Sequence, residues 1–92
     1  MIFALTYDLK NEESSAAYTP LLEELRRRGG HRYQASAWLV NVNNKVEEVH
    51  AHFKKLMDSN DSLWVSELTG IHSGSGLQPG TVQWLKANPP CR

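Results

Sequence analysis

Asp8 is the residue whose type and position best suit chemistry. It closes the uncharged run Ile2-Phe3-Ala4-Leu5-Thr6-Tyr7. A carboxylate at the end of a rigid strand is held in place for metal binding or acid/base work. The same position also suits turn initiation and helix capping. One carboxylate holds Mg²⁺ poorly, because the ion takes about six oxygen ligands and keeps several waters. A two-fold axis that brings a second Asp8 alongside would supply the missing ligand, so a catalytic Asp8 requires a dimer.

The other reactive side chains form weaker patterns. His50 and His52 are two apart on a helical stretch and point about 200° away from each other, too divergent to share a metal. His31 and His72 have no Cys or His partner at the spacing of a zinc site. Ser73-Gly74-Ser75-Gly76 lacks the Gly-Lys-Ser/Thr ending of a phosphate-binding loop. Ser36 lies mid-strand with no base near it in sequence. Arg26, Arg27 and Arg28 fan around a helix end, where they suit phosphate contacts or simply a solvated terminus.

These residues need elements to hold them. A nearly continuous apolar run with aromatic and β-branched members reads as a central strand buried on both faces, which places Asp8 at its C-terminal end. Leu9 to Ser15 is a polar connection with capping serines. Tyr18, Leu21, Leu22 and Leu25 share one helical face. Pro20 fits only the first turn, so the helix starts at Thr19 or a few residues earlier. The three arginines favour its C-terminal dipole, and Gly29-Gly30 stops it. From His31 to Val42 the period is two, as one long strand or two joined by a kink near Ser36. Asn44 and Glu47 form a plausible capping box for a second helix bearing Val46, Val49, Phe53, Leu56 and Met57. After the turn cluster 58–62, Leu63 to Leu68 reads as a strand. Gly70 to Gly80 reads as a flexible loop, Thr81 to Ala87 as a short helix anchored by Val82, Trp84 and Leu85, and Pro89-Pro90 as its end.

The order predicts a small α+β domain, a ferredoxin-like two-layer sandwich (βαββαβ) over residues 1–69, with a Gly-rich loop and C-terminal tail over 70–92. Both long helices then cover one sheet face. Trp38 and Trp64 are candidates for the bare face, where large aromatics mark an interaction surface; the reading is a homodimer through the sheet, with core tryptophans as the alternative.

Composition narrows the class. At 92 residues the chain is one domain, near the small end of what folds alone, so association with a second copy helps. Ten Lys and Arg balance ten Asp and Glu, which argues against nucleic acid wrapped over most of the surface but not against a local basic patch. Cys91 has no partner for a disulfide. No stretch approaches the ~18 apolar residues of a membrane span, and no signal peptide is apparent. The expectation is a cytoplasmic protein with no membrane partner.

The apolar strand ending Tyr7-Asp8, followed after one helix by Arg32-Tyr33-Gln34-Ala35-Ser36-Ala37-Trp38, resembles the small CRISPR-associated protein of the spacer-acquisition complex. It also resembles the related virulence-associated protein D toxins. The resemblance covers about residues 1–69 and implies a ferredoxin-like domain that dimerises through its sheets. It implies a Mg²⁺-dependent endoribonuclease or endonuclease, with Asp8 as the metal-binding aspartate beside its twin. Tyr7, Arg32, Ser36 and Trp38 match positions near that site, Arg32 as a phosphate contact and Trp38 in aromatic packing. The alternative within the same fold is a non-catalytic dimeric scaffold or a toxin–antitoxin-like interaction module. Where family members usually carry arginines early in the first helix, this chain reads Asn11-Glu12-Glu13-Ser14-Ser15.

Overall fold

The computed structural model describes residues 1–10 and 18–91. The elements are β1 (Ile2–Asp8), α1 (Thr19–Arg27), β2 (His31–Gln34), β3 (Ala37–Asn41), α2 (Val46–Lys54), β4 (Ser62–Glu67) and α3 (Thr81–Ala87). They build a small α+β domain on a four-stranded sheet in the order β2-β3-β1-β4. Every neighbouring pair is antiparallel. This arrangement is compatible with the expected ferredoxin-like sandwich. The capping serines and the acidic pair Glu12-Glu13 lie outside the described residues.

Register decides which side chains meet the helices. In β1, Phe3 stands opposite Val40 and Leu5 opposite Trp38. These four form one core with Leu21 and Leu25 of α1 and Val49 and Phe53 of α2. Each such fully buried side chain contributes about 1.5–3 kcal/mol relative to exposure. The spacing Leu21/Leu25 and Val49/Phe53 is i, i+4, one stripe per helix, as required of helices lying on a sheet. Helix α1 stops because Gly29, at φ +72°, adopts the left-handed conformation that favours glycine. The Gly30 amide then bonds back to Leu25 O at 2.9 Å and the Gly29 amide to Arg26 O at 2.9 Å. A Cβ on Gly30 would stand 2.7 Å from Leu25 O, so any larger residue must displace backbone there. The second helix is capped one residue later than the sequence suggests: the Lys45 amide donates to the Glu48 carboxylate at 2.8 Å.

Trp38 is therefore not on a bare face. It is 4% exposed, on the helix side of the sheet, and its indole N–H donates to the Tyr7 hydroxyl at 3.2 Å. Alternation places Trp38 on the same strand face as Val40, and the cross-strand register shows that this face is the one the helices cover. Trp38 is a core residue, and its assignment to a dimer interface is withdrawn.

The opposite face is divided. Ile2, Ala37 and Leu39 on it are buried, whereas Thr6, Asp8 and Trp64 are exposed. The difference comes from the C-terminal segment, which lies against the β2–β3 half. There the Gln78 amide donates to Tyr33 O at 3.1 Å, and the Trp84 indole N–H donates to Gly29 O at 3.0 Å. The His31 ring stacks on Trp84 with centroids 6.2 Å apart and bonds the Thr81 hydroxyl at 2.7 Å. Thr81 donates its own proton to Gln78 O at 2.7 Å, so His31 Nε2 is the donor in this pair. Asn41 and Asn88 join the far end at 3.0 Å. The loop that reads as flexible is thus tied to the edge strand β2 near its C-terminal end, through Gln78. The central strand is buried on both faces only in its first half.

Candidate functional site at the end of the central strand

Asp8 stands at the C-terminal end of β1, opposite Ser62, on the open half of the second face. Its side chain is 63% exposed and forms an ion pair with the Lys10 ammonium at 2.9 Å. It caps no described helix. Tyr7 points the other way, into the helix side, where its hydroxyl accepts the Trp38 N–H. Ser36 lies in the tight connection between β2 and β3, and its carbonyl accepts the Tyr7 amide at 3.1 Å. Arg32 folds over the same connection, donating Nε and Nη2 to Ala35 O at 3.1 and 2.8 Å. Tyr7, Asp8, Ser36 and Arg32 therefore gather at one end of the sheet. Among the described residues, no base bonds the Ser36 hydroxyl.

The three arginines do not join them. Helix α1 runs back along the sheet, so Arg26, Arg27 and Arg28 stand at the opposite end. Arg27 and Arg28 are held there by Glu24, at 2.7 Å and 2.9 Å. The same carboxylate receives His52 Nε2 from α2 at 2.6 Å. Hydrogen bonds from His52, Arg28 and Arg27 lower the Glu24 pKa from 4.5 to about 2. Arg28 and His52 also line, with Lys55 and Asn44, a cleft of about 450 Å³. The spacing Glu24–Arg27–Arg28 is i, i+3, i+4 and was readable as a helical charge pair; the bond to His52 is a tertiary contact with no sequence signal.

A second carboxylate, Asp61, shows what structural employment looks like. It is 5% exposed. It accepts the Lys10 amide at 2.8 Å, the Tyr18 hydroxyl at 3.1 Å and the Asp58 amide at 2.9 Å, and its carbonyl accepts the Lys54 ammonium. Burial pushes its pKa up, but these amide and hydroxyl donors outweigh that and leave it below the usual range. Asp61 ties the chain after β1, the start of α1 and the start of β4 to one point. Asp8 does none of this.

Oxygen donors at the Asp8 end suit a hard divalent cation in kind. One chain falls short in number. Among the described residues, no three His, Cys, Asp or Glu side chains gather as a metal site. Trp64 is 69% exposed beside Thr6, its partner in register, on the half of the face that the C-terminal segment leaves open. Among the described residues, no helix is long and apolar enough to cross a membrane.

No family model matches the chain. The crystal structure of a hypothetical protein from Thermus thermophilus is similar to it, with a TM-score of 0.63 at 19% sequence identity over 84% of this chain and 93% of that one. At that identity the likeness speaks of fold alone.

Proposed function

We propose that this chain is a nucleic-acid-processing homodimer of ferredoxin-like fold, a Mg²⁺-dependent endonuclease acting on RNA or DNA through paired Asp8 residues. The resemblance of its Tyr7-Asp8 and Arg32-to-Trp38 segments to the small CRISPR-associated and virulence-associated protein D proteins is part of this reading. The observation that carries it is the contrast between the two carboxylates flanking the strands. Asp61 is consumed by the fold, whereas Asp8 sits at a strand end, faces solvent and, among the described residues, pairs through its side chain with an exposed lysine. Dimerisation through the open half of the second face, around Trp64 and Thr6, brings two copies of Asp8 together and doubles the carboxylate donors. The two Asp8 carboxylates would hold a divalent cation, which would supply a lowered pKa for a bound water and neutralise charge on the phosphate. Arg32 binds a phosphate at the same end once its guanidinium leaves the Ala35 carbonyl. The Lys10 ammonium, paired with Asp8 at 2.9 Å, would contribute positive charge toward a phosphate at this end.

A second reading, a non-catalytic scaffold or toxin–antitoxin-like module, is favoured by one feature. The arginines of α1 stand at the end of the sheet away from Asp8, and two of them are neutralised by Glu24.

Cleavage of labelled RNA and duplex DNA, with Mg²⁺ or Mn²⁺ and with chelator, separates the two. Asp8→Ala leaves the fold within about 0.5 kcal/mol, as expected of an exposed side chain, and abolishes metal-dependent cleavage. Cleavage that persists undiminished in folded, dimeric Asp8→Ala removes Asp8 from the mechanism. No cleavage by either protein across substrates and pH favours the scaffold.

A further inference from the structure

The sheet's second face carries a feature that the strand-end carboxylate does not use. Between β2, β3 and the returning C-terminal segment lies a cavity of about 190 Å³. Its floor and walls are apolar: Leu39 from β3, Leu77 from the glycine-rich loop and Leu85 from α3. Its fringe is polar, with Tyr33 and Gln34 from β2 and His72 from the loop.

We propose that this cavity receives one planar nitrogen heterocycle, a nucleobase from a single-stranded or unpaired nucleotide. The inference rests on the nucleic-acid reading above and names the part of the substrate that the chain grips. Size comes first. A cavity of roughly 150 Å³ accommodates a benzene ring, so this one holds a single base but not a base pair. Chemistry comes second. Tyr33, Gln34 and Ser73 bring polar side chains to its lining, and binding sites characteristically join apolar walls with a few polar groups that fix orientation. Gln34 offers both a donor and an acceptor, the pair that a base edge needs. Burial raises the Tyr33 pKa, so its phenol stays protonated and able to donate. His72 gives Nδ1–H to Thr69 O at 2.7 Å, which leaves Nε2 of the neutral ring as an acceptor.

Position comes third. Gln34 stands opposite Ala37, and Ala37 opposite Thr6, so the Gln34 rim of the cavity lies on the same sheet face as Asp8. With strands about 4.8 Å apart and about 3.4 Å per residue, the Gln34 and Asp8 backbones are roughly 12 Å apart. That is within reach of a short extended stretch of nucleic acid. Single-stranded nucleic acid is commonly held through its exposed bases, and a base anchored under the loop presents a neighbouring phosphate to the Asp8 end.

The test reads binding without cleavage. Backbone amide shifts of ¹⁵N-labelled full chain are followed on adding adenosine, guanosine, cytidine and uridine separately, with ribose, inorganic phosphate and toluene as controls. The expected result is saturable shifts at residues 33–34, 68–77 and 81–85 with at least one nucleoside and not with ribose or phosphate. Leu77→Trp, which fills the cavity from the loop, and Gln34→Ala, which keeps it open, should each weaken binding by tenfold or more. Unchanged shifts outside the segment report an intact fold. No shifts with any nucleoside at millimolar concentration, or equal shifts with toluene, overturns the base pocket. If cleavage that depends on Asp8 survives such a result, only the pocket is lost and the nuclease reading stands.

Discussion

Glu24→Gln changes one atom and removes the charge that gathers Arg27, Arg28 and His52 at the junction of α1 and α2. The Glu24 pKa falls from 4.5 to about 2 in the folded chain, which at about 1.4 kcal/mol per tenfold change in proton affinity corresponds to about 3 kcal/mol. The Glu24 side chain is 11% exposed, but those of Arg27 and Arg28 are 70% and 41% exposed, and solvent screening reduces the effect to about 2 kcal/mol. For a chain of this length that lowers the melting temperature by about 10 °C. The sign with pH is fixed by the lowered pKa. The contribution is fully present above the unfolded value of 4.5 and is lost as pH falls through the folded value of about 2. Urea unfolding followed by tryptophan fluorescence at pH 7, 4 and 2.5 measures it. The gap between wild type and Glu24→Gln should be widest at pH 7 and close toward pH 2. A gap below about 0.5 kcal/mol at pH 7, or one that stays constant to pH 2.5, refutes the reasoning: the cluster would then be a surface arrangement with no net stabilisation.

Asp61→Ala removes the acceptor shared by two amides and a buried hydroxyl, and should cost about 3–5 kcal/mol by the same unfolding measurement; a loss under about 1 kcal/mol contradicts its role as the anchor of β4. Trp64→Ala should leave monomer stability within about 0.5 kcal/mol because the ring is largely in water. The same change should weaken self-association tenfold or more by sedimentation; a dimer that is unaffected, or no dimer in wild type, removes the open half-face from the interface.

The parts of this fold that were legible in the sequence are those encoded by local period and punctuation. The apolar run to Asp8, the Leu21/Leu25 and Val49/Phe53 stripes and the Gly29-Gly30 stop each carry their own signal, because a helix or strand writes its buried face into three or four residues. The kink weighed near Ser36 is a real break between β2 and β3, with a register irregularity between Arg32 and Gln34. Trp38 shows where such signals end. Its strand face could be read from alternation, but whether helices or solvent lie over that face is a property of β1 pairing. The Gly70–Gly80 loop shows the same limit from the other side. Glycine and serine report backbone freedom in isolation, and say nothing of the Gln78–Tyr33 and Trp84–Gly29 bonds that pin the segment. At the candidate site, Asp8, Ser36 and Arg32 do come to one end of the sheet, while Arg26 to Arg28 do not, because a helix that follows β1 must run back along it.

That geometry constrains what any dimer can do. The C-terminal segment buries Ile2, Ala37 and Leu39 and leaves only the β1–β4 half of the face for a second copy. An interface restricted to this half is small, and a standard stable interface buries roughly 800 Å² per partner. Trp64 is then the residue most able to anchor it, since an aromatic side chain carries a large apolar area on few rotatable bonds. The restriction also has a functional consequence. An interface shifted toward β4 places the two-fold axis close to β1 and β4, the strands that carry Asp8 and Ser62, and far from β2. The paired carboxylates would lie near the axis, while the two cavities lined by β2, the opposite edge strand, would lie toward the flanks. On the proposed nuclease reading, a single strand gripped at either flank would run inward to the paired Asp8 residues.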